Sequence, residues 1–166
     1  MSYIYLGVFL TSLSALAFQV ALTRILSVGL WYHFAFMVIS IALLGYGASG
    51  SILMLFPSLK RDPPSILPFI GNLFGLSIIL SYIGANQIPF DPAKLAWDPY
   101  QFLHISLLYI LLGVPFFFAG LVLALALSLF SHEAGKVYAA DLTGGASGCL
   151  LALPLFPMFG EGVVVV

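Results

Sequence analysis

Charge is what this sequence lacks. Asp, Glu, Lys and Arg make up 7% of its 166 residues, against roughly a quarter in ordinary soluble domains. Six acidic and five basic side chains cannot clothe a soluble fold of this size. A net charge of −1 leaves no basic field, so no nucleic-acid partner is expected. Cys149 is the single cysteine, which excludes an intrachain disulfide. His33, His104 and His132 are the only histidines, and none has a histidine three or four residues away. His132-Glu133 is followed by Ala-Gly-Lys, so the H-E-x-x-H pattern fails. No phosphate-binding loop and no serine in a His/Asp setting occurs. No complete active site, metal or cofactor is therefore expected in this chain alone.

What is abundant is apolar residue, 62% of the chain, gathered in long blocks. A spanning helix needs about 20 such residues, and lipid is the solvent that such blocks suit. The reading is an all-α membrane protein, one transmembrane helical domain over 1–166, with about five spans. They fall near 3–22, 34–56, 66–85, 102–130 and 137–159. Ala15-Leu16-Ala17 has the form of a leader cleavage site. No Lys or Arg precedes it and hydrophobicity continues past it, so a span is the better reading.

The breaks between blocks are polar. Trp31, Tyr32 and His33 precede the second span as an amphipathic cluster suited to a headgroup layer. Pro57 to Pro64 carries Lys60, Arg61 and Asp62. The stretch from Asn86 to Gln101 reads as an ordered interfacial cap with Asp91, Lys94, Trp97 and Asp98. Ser131 to Lys136 forms the last break, Pro154 and Pro157 should make the fifth span irregular, and the closing valines read as the start of a strand or a further span. The fourth block would be roughly 44 Å long as straight helix at ~1.5 Å per residue, against a hydrocarbon core of about 30 Å. Pro115 near its middle favours a single kinked helix over a re-entrant pair. Lys60, Arg61 and Lys136 against Lys94 place the N-terminus in the cytoplasm.

Small residues recur at helical spacing. Gly45-Tyr-Gly47-Ala-Ser49-Gly50 has the letters of a dinucleotide fingerprint, but it lies late in an apolar run with no strand before it. It reads instead as a packing surface. Gly71 and Gly75 form a GxxxG pair, and Ala140, Gly144, Gly148 and Ala152 a longer ladder of the same period. Asp141, about one turn inside the fifth span, must be paired, hydrogen-bonded, protonated or wet. A proton or cation site is the functional alternative to a hydrogen-bonded structural acid. Arg24, near the end of the first span, reads as an interface anchor or a partner of His33. In a five-span topology it lies at the opposite end from Asp141. Phe116, Phe117 and Phe118 read as a lipid or helix-packing face.

Three stretches together carry a family resemblance: Phe18 to Leu26, Trp31 to Gly50, and Pro115 to Gly120 with Val137 to Gly148. They resemble the membrane region of bacterial spermidine synthase-like integral membrane proteins. In that family several spans precede a soluble aminopropyltransferase-like domain, whose nucleotide loop and polyamine-binding acids have no counterpart in this sequence. The resemblance implies a membrane module of a bacterial inner membrane. The expected role is a membrane subunit or anchor that packs on a partner domain or on other membrane subunits. The alternatives are a transporter-like or channel-like module using Asp141, and the anchor of an aminopropyltransferase.

Overall fold

The coordinates, a computed structural model, describe residues 2–29, 34–56, 63–91, 94 and 97–159. Five long helices follow one another: α1 (Ser2–Gly29), α2 (Phe34–Leu55), α3 (Pro63–Gln87), α4 (Tyr100–Leu129) and α5 (Ala134–Phe159). A short 3₁₀ turn, Ser131–Glu133, leads into α5. The described residues contain no strand. His33, with Trp31 and Tyr32, lies outside the described residues, as do Lys60, Arg61 and the closing valines.

Several helices outrun the hydropathy blocks. α1 continues through Arg24 to Gly29. The Thr23 hydroxyl donates to the Gln19 carbonyl at 2.8 Å and Ser27 to Arg24 at 3.0 Å. Polar side chains thus sit on helix rather than ending it. α3 opens on Pro63, where a missing N–H costs nothing because the first turn has no intrahelical partner for it. α5 takes in Ala134, Gly135 and Lys136, which the sequence assigned to a break, and it stays helical through Pro154 and Pro157. Asp141 is therefore about two turns inside its helix, not one. α4 is a continuous helix across Pro115, not a re-entrant pair.

Four helices are long and apolar enough to cross a membrane: Tyr3–Ser27, Phe34–Leu55, Ile66–Gln87 and Tyr100–Leu129. α5, the expected fifth span, has 26 residues but carries Lys136, Asp141, Thr143 and Ser147, and it does not join that group among the described residues. Large apolar side chains face outward along the helices, including Leu43, Met54, Ile110 and Leu150. Such a surface is unfavourable in water and natural in hydrocarbon.

The helices alternate in direction around α4. Phe116 packs with Leu22 and Phe18 of α1, Ala119 with Ala15, and Ala126 with Val8, so α1 and α4 run antiparallel. Ile70 of α3 meets Val122, Phe74 meets Ala119, and Ser81 meets Leu111, again antiparallel. Along α2, Ile41 faces Gly113, Gly45 faces Phe116, and Tyr46 faces Gly120, so α2 and α4 run parallel. α4 is buried on several sides, with Leu112, Phe116, Leu125 and Ala126 at 1% exposure or less. α5 lies along α1 at the edge of the bundle.

Pro115 lacks the N–H that would bond to the carbonyl four residues back, at Leu111. That carbonyl is not left bare. The Ser81 hydroxyl of α3 donates to it at 2.6 Å, and Ser81 is 1% exposed. A broken helical bond in hydrocarbon is thereby repaired by a neighbouring helix. Gly84, one turn on, lets the Leu111 side chain lie against α3: a Cβ there would stand 2.6 Å from Leu111 Cδ2.

Candidate functional site

The polar groups with most chemical potential lie between α1 and α5. Ser12 is 5% exposed and donates its hydroxyl to Asp141 Oδ1 at 2.5 Å. That length sits at the short end for a hydroxyl on a carboxylate. Two turns back along both helices, the Tyr5 hydroxyl donates to Glu133 Oε2. Glu133 also pairs with Lys136, whose Nζ lies 2.9 Å from Oε1. The Tyr5 hydrogen bond, followed by the Lys136 ammonium, holds the Glu133 carboxyl below its ordinary pKa. Glu133 in turn raises the Lys136 pKa by hydrogen bond and charge. Tyr5 with Glu133 and Ser12 with Asp141 fix the register: α1 and α5 run parallel.

Glycine sets the separation of these two helices. A Cβ built on Gly144 would collide with the Phe9 carbonyl, its Cα only 3.0 Å away. A Cβ on Gly148 would collide with the Leu13 carbonyl, with Leu13 C at 2.9 Å. Both neighbours are backbone and cannot swing aside. Gly45 does the same for α2 against α4, where a Cβ would lie 2.8 Å from Phe116 Cβ and 2.8 Å from Phe117 N. Gly120, which the sequence reading did not single out although Ala124 and Ser128 follow it at four-residue spacing, seats α4 against Tyr46 and Ser49. Gly47, Gly71 and Gly75 behave differently, because a Cβ on any of them meets nothing within 4 Å. The four-residue spacing of Gly47 with Ser51, and of Gly71 with Gly75, is not used for contact among the described residues.

Arg24 is on an exposed turn of α1, twelve positions beyond Ser12 and so roughly 18 Å along the axis. Asp141 takes its hydrogen bond from Ser12, far from that end. His104 is isolated in the sequence, and nothing there marks it; its Nδ1 is buried without a hydrogen-bond partner among the described residues. No three His, Cys, Asp or Glu side chains cluster as metal ligands among the described residues.

Phe116 of the aromatic triplet is fully buried and packs against Phe18, ring centroids 5.7 Å apart. Phe117 and Phe118 are half-buried, with their own rings edge to face at 5.5 Å. The triplet is thus a packing surface around Pro115. The glycine-rich run from Gly45 to Gly50 lies inside α2, with no strand before it. A phosphate-binding turn cannot form there.

Comparison with protein-family models, curated proteins and solved structures finds no match. The arrangement must therefore be read from its own chemistry. Apart from His104, several polar groups within the helices are engaged: Asp141 with Ser12, Ser81 with the Leu111 carbonyl, and Ser49 and Ser77 with carbonyls of their own helices. The first two of these bonds tie helices together, and all four spend groups that would otherwise attract a polar ligand.

A separate apolar recess of about 290 Å³ lies between α1, α3 and α4. Ile4, Gly7, Val8 and Thr11 line one wall, and Leu67, Pro68 and Gly71 the other. Thr11 donates its hydroxyl to the Gly7 carbonyl at 2.9 Å, so its polar atom is satisfied within α1.

Proposed function

We propose that this chain is a membrane-embedded structural subunit or anchor, packed on a partner domain or on other membrane subunits. The observation that carries the reading is the Asp141–Ser12 hydrogen bond at 2.5 Å, in an interface whose backbones touch at Gly144 and Gly148. A carboxylate used to move protons or cations needs a wet approach. This one is capped by a hydroxyl on a helix that glycine brings close. The recess between α1 and α3 is lined by other residues and is apolar.

The finer expectations belong to the same proposal. α5 is taken as a fifth crossing, the N-terminus as cytoplasmic, and the membrane as a bacterial inner membrane. The likeness to spermidine synthase-like membrane proteins supplies one class of partner, a soluble aminopropyltransferase-like domain. Cysteine-accessibility labelling at Ser58, Ala93 and Ala134 tests the orientation. Labelling of Ser58 and Ala134 from the cytoplasm and of Ala93 from outside is expected. Labelling of Ala93 from the same side as Ser58 overturns it.

The role is tested by two experiments run together. Affinity purification from membranes in mild detergent is expected to bring down a stoichiometric partner. Proteoliposomes of wild type and Asp141→Asn are expected to show equal proton and cation permeability. A pH-dependent flux lost in the Asn variant favours the transporter-like reading and overturns the structural one.

A further inference from the structure

We infer that α5 crosses the membrane only as a partner of α1, so that the last helix of the bundle enters by docking on the first. The inference rests on the reading of α5 as a fifth crossing and adds how that crossing is made. α5 is the helix least suited to enter lipid alone. α2, α3 and α4 contain no Asp, Glu, Lys or Arg. α5 places Asp141 about two turns inside and carries four glycines, Gly135, Gly144, Gly145 and Gly148. A carboxylate at that depth is costly in hydrocarbon, and glycine adds neither apolar surface nor helix propensity. The hydroxyls of Thr143 and Ser147 are not part of that cost, because each is bonded to a carbonyl one turn back.

What α5 lacks, α1 supplies. Asp141 accepts the Ser12 hydroxyl at 2.5 Å, and Ser12 is buried. Glu133 takes the Tyr5 hydroxyl in the same register. Gly144 and Gly148 gain contact only against a neighbouring backbone, and the backbone they meet is that of Phe9 and Leu13. α5 packs chiefly on α1 and touches α4 much less. The α4 residues in the cluster around Val137 are apolar, Leu123, Ala126 and Leu127, and none can answer a carboxylate. The features that burden α5 in lipid thus become contacts once α1 is beside it. α1 also comes first in the chain, so it is already present when α5 enters.

Gly148→Leu separates the two routes by sign. Leucine makes α5 more apolar and is the better helix former, so a helix that enters alone gains from it. A helix that enters on α1 loses, because the added side chain strikes the Leu13 backbone. In a Cys149→Ser background, Ala134→Cys and Gly162→Cys flank α5 and are labelled separately with a membrane-impermeant maleimide, in whole and in permeabilised bacterial cells. The unaltered α5 should show the two positions on opposite sides. Gly148→Leu should raise severalfold the fraction of chains whose Gly162 position stays on the Ala134 side, and Ser12→Ala should raise it less. Ser58→Cys should keep its side throughout, which shows that the earlier helices have entered. Adding Asp141→Leu to Gly148→Leu should bring the fraction back down, since the helix then has no acid to shield. Unchanged or better crossing in Gly148→Leu overturns the inference, and so does a defect that Asp141→Leu fails to relieve. Both positions on one side of the membrane with α5 unaltered would overturn the fifth crossing itself, and this inference with it.

Discussion

Gly144 with Gly148 on α5, and Gly71 with Gly75 on α3, carry the same four-residue spacing and meet opposite fates. The α5 pair lies against the Phe9 and Leu13 carbonyls of α1. The α3 pair faces open space, although α1 is the neighbour of both helices. The spacing permits close approach; it does not cause it. What differs is the polar tie. α5 is fastened to α1 by Ser12–Asp141 and Tyr5–Glu133. α3 turns its buried hydroxyl at Ser81 toward α4, where Pro115 has left a carbonyl to be satisfied. α3 is drawn to α4, and a recess opens between it and α1. In a solvent as apolar as the side chains, a few hydrogen bonds decide which small-residue faces close.

The contrast breaks most severely at Gly148. Gly148→Leu forces backbone apart and should cost about 3 kcal/mol or more, at the upper end of overpacking penalties. Thermal unfolding in detergent reads it, with Leu150→Ala on the exposed face as the control. A loss no larger than the control's would mean that α1 and α5 do not touch there.

A smaller effect is expected where α3 is tied. Ser81→Ala leaves the Leu111 carbonyl without a donor and should cost about 1 kcal/mol. Pro115→Ala restores the N–H that this carbonyl lacks. In the double variant the Ser81 contribution should therefore shrink, and a double-mutant cycle measures the coupling directly. Additive losses would show that the two residues do not share that carbonyl.

Asp141→Ala should cost a similar amount, about 0.5–1.5 kcal/mol, by removing the acceptor of Ser12. Asp141→Asn should hold close to wild type, because the amide oxygen still accepts. If Asn destabilises as much as Ala, the charge rather than the hydrogen bond is what the interface needs. At the low end stands Gly47→Leu on α2. Nothing on another helix lies within 4 Å of its Cβ position, and leucine is the better helix former, so no loss and a gain of up to about 1 kcal/mol is expected.

Much of this was legible in the sequence and some of it could not be. Hydropathy located the helices because lipid demands long apolar runs. It placed the ends poorly, since Arg24 and Lys136 ride on helix that the apolar pattern alone does not cover. Asp141 stood out because one acid in an apolar run is costly, but its partner Ser12 is an ordinary serine in a distant helix. Nothing local marks it. The same holds for Ser81: Pro115 announces a free carbonyl, and only the antiparallel packing of α3 on α4 says which hydroxyl reaches it. The glycine ladders announced closeness without naming a neighbour. Gly120 was overlooked although Ala124 and Ser128 follow it at four-residue spacing, and its counterpart, Tyr46 with Ser49, lies on another helix.

The central claim is that the same glycine spacing is closed against α1 on α5 and open on α3, and the smallest possible change tests it. Gly148→Ala and Gly71→Ala each add a single methyl group to a helix, and alanine is the better helix former in both places by about 1 kcal/mol. The two variants are unfolded thermally side by side in the same detergent. The account predicts that Gly148→Ala lowers the midpoint, because its Cβ meets the Leu13 backbone, while Gly71→Ala leaves it unchanged or raises it. Equal behaviour of the two, or a loss at Gly71 with none at Gly148, would contradict it.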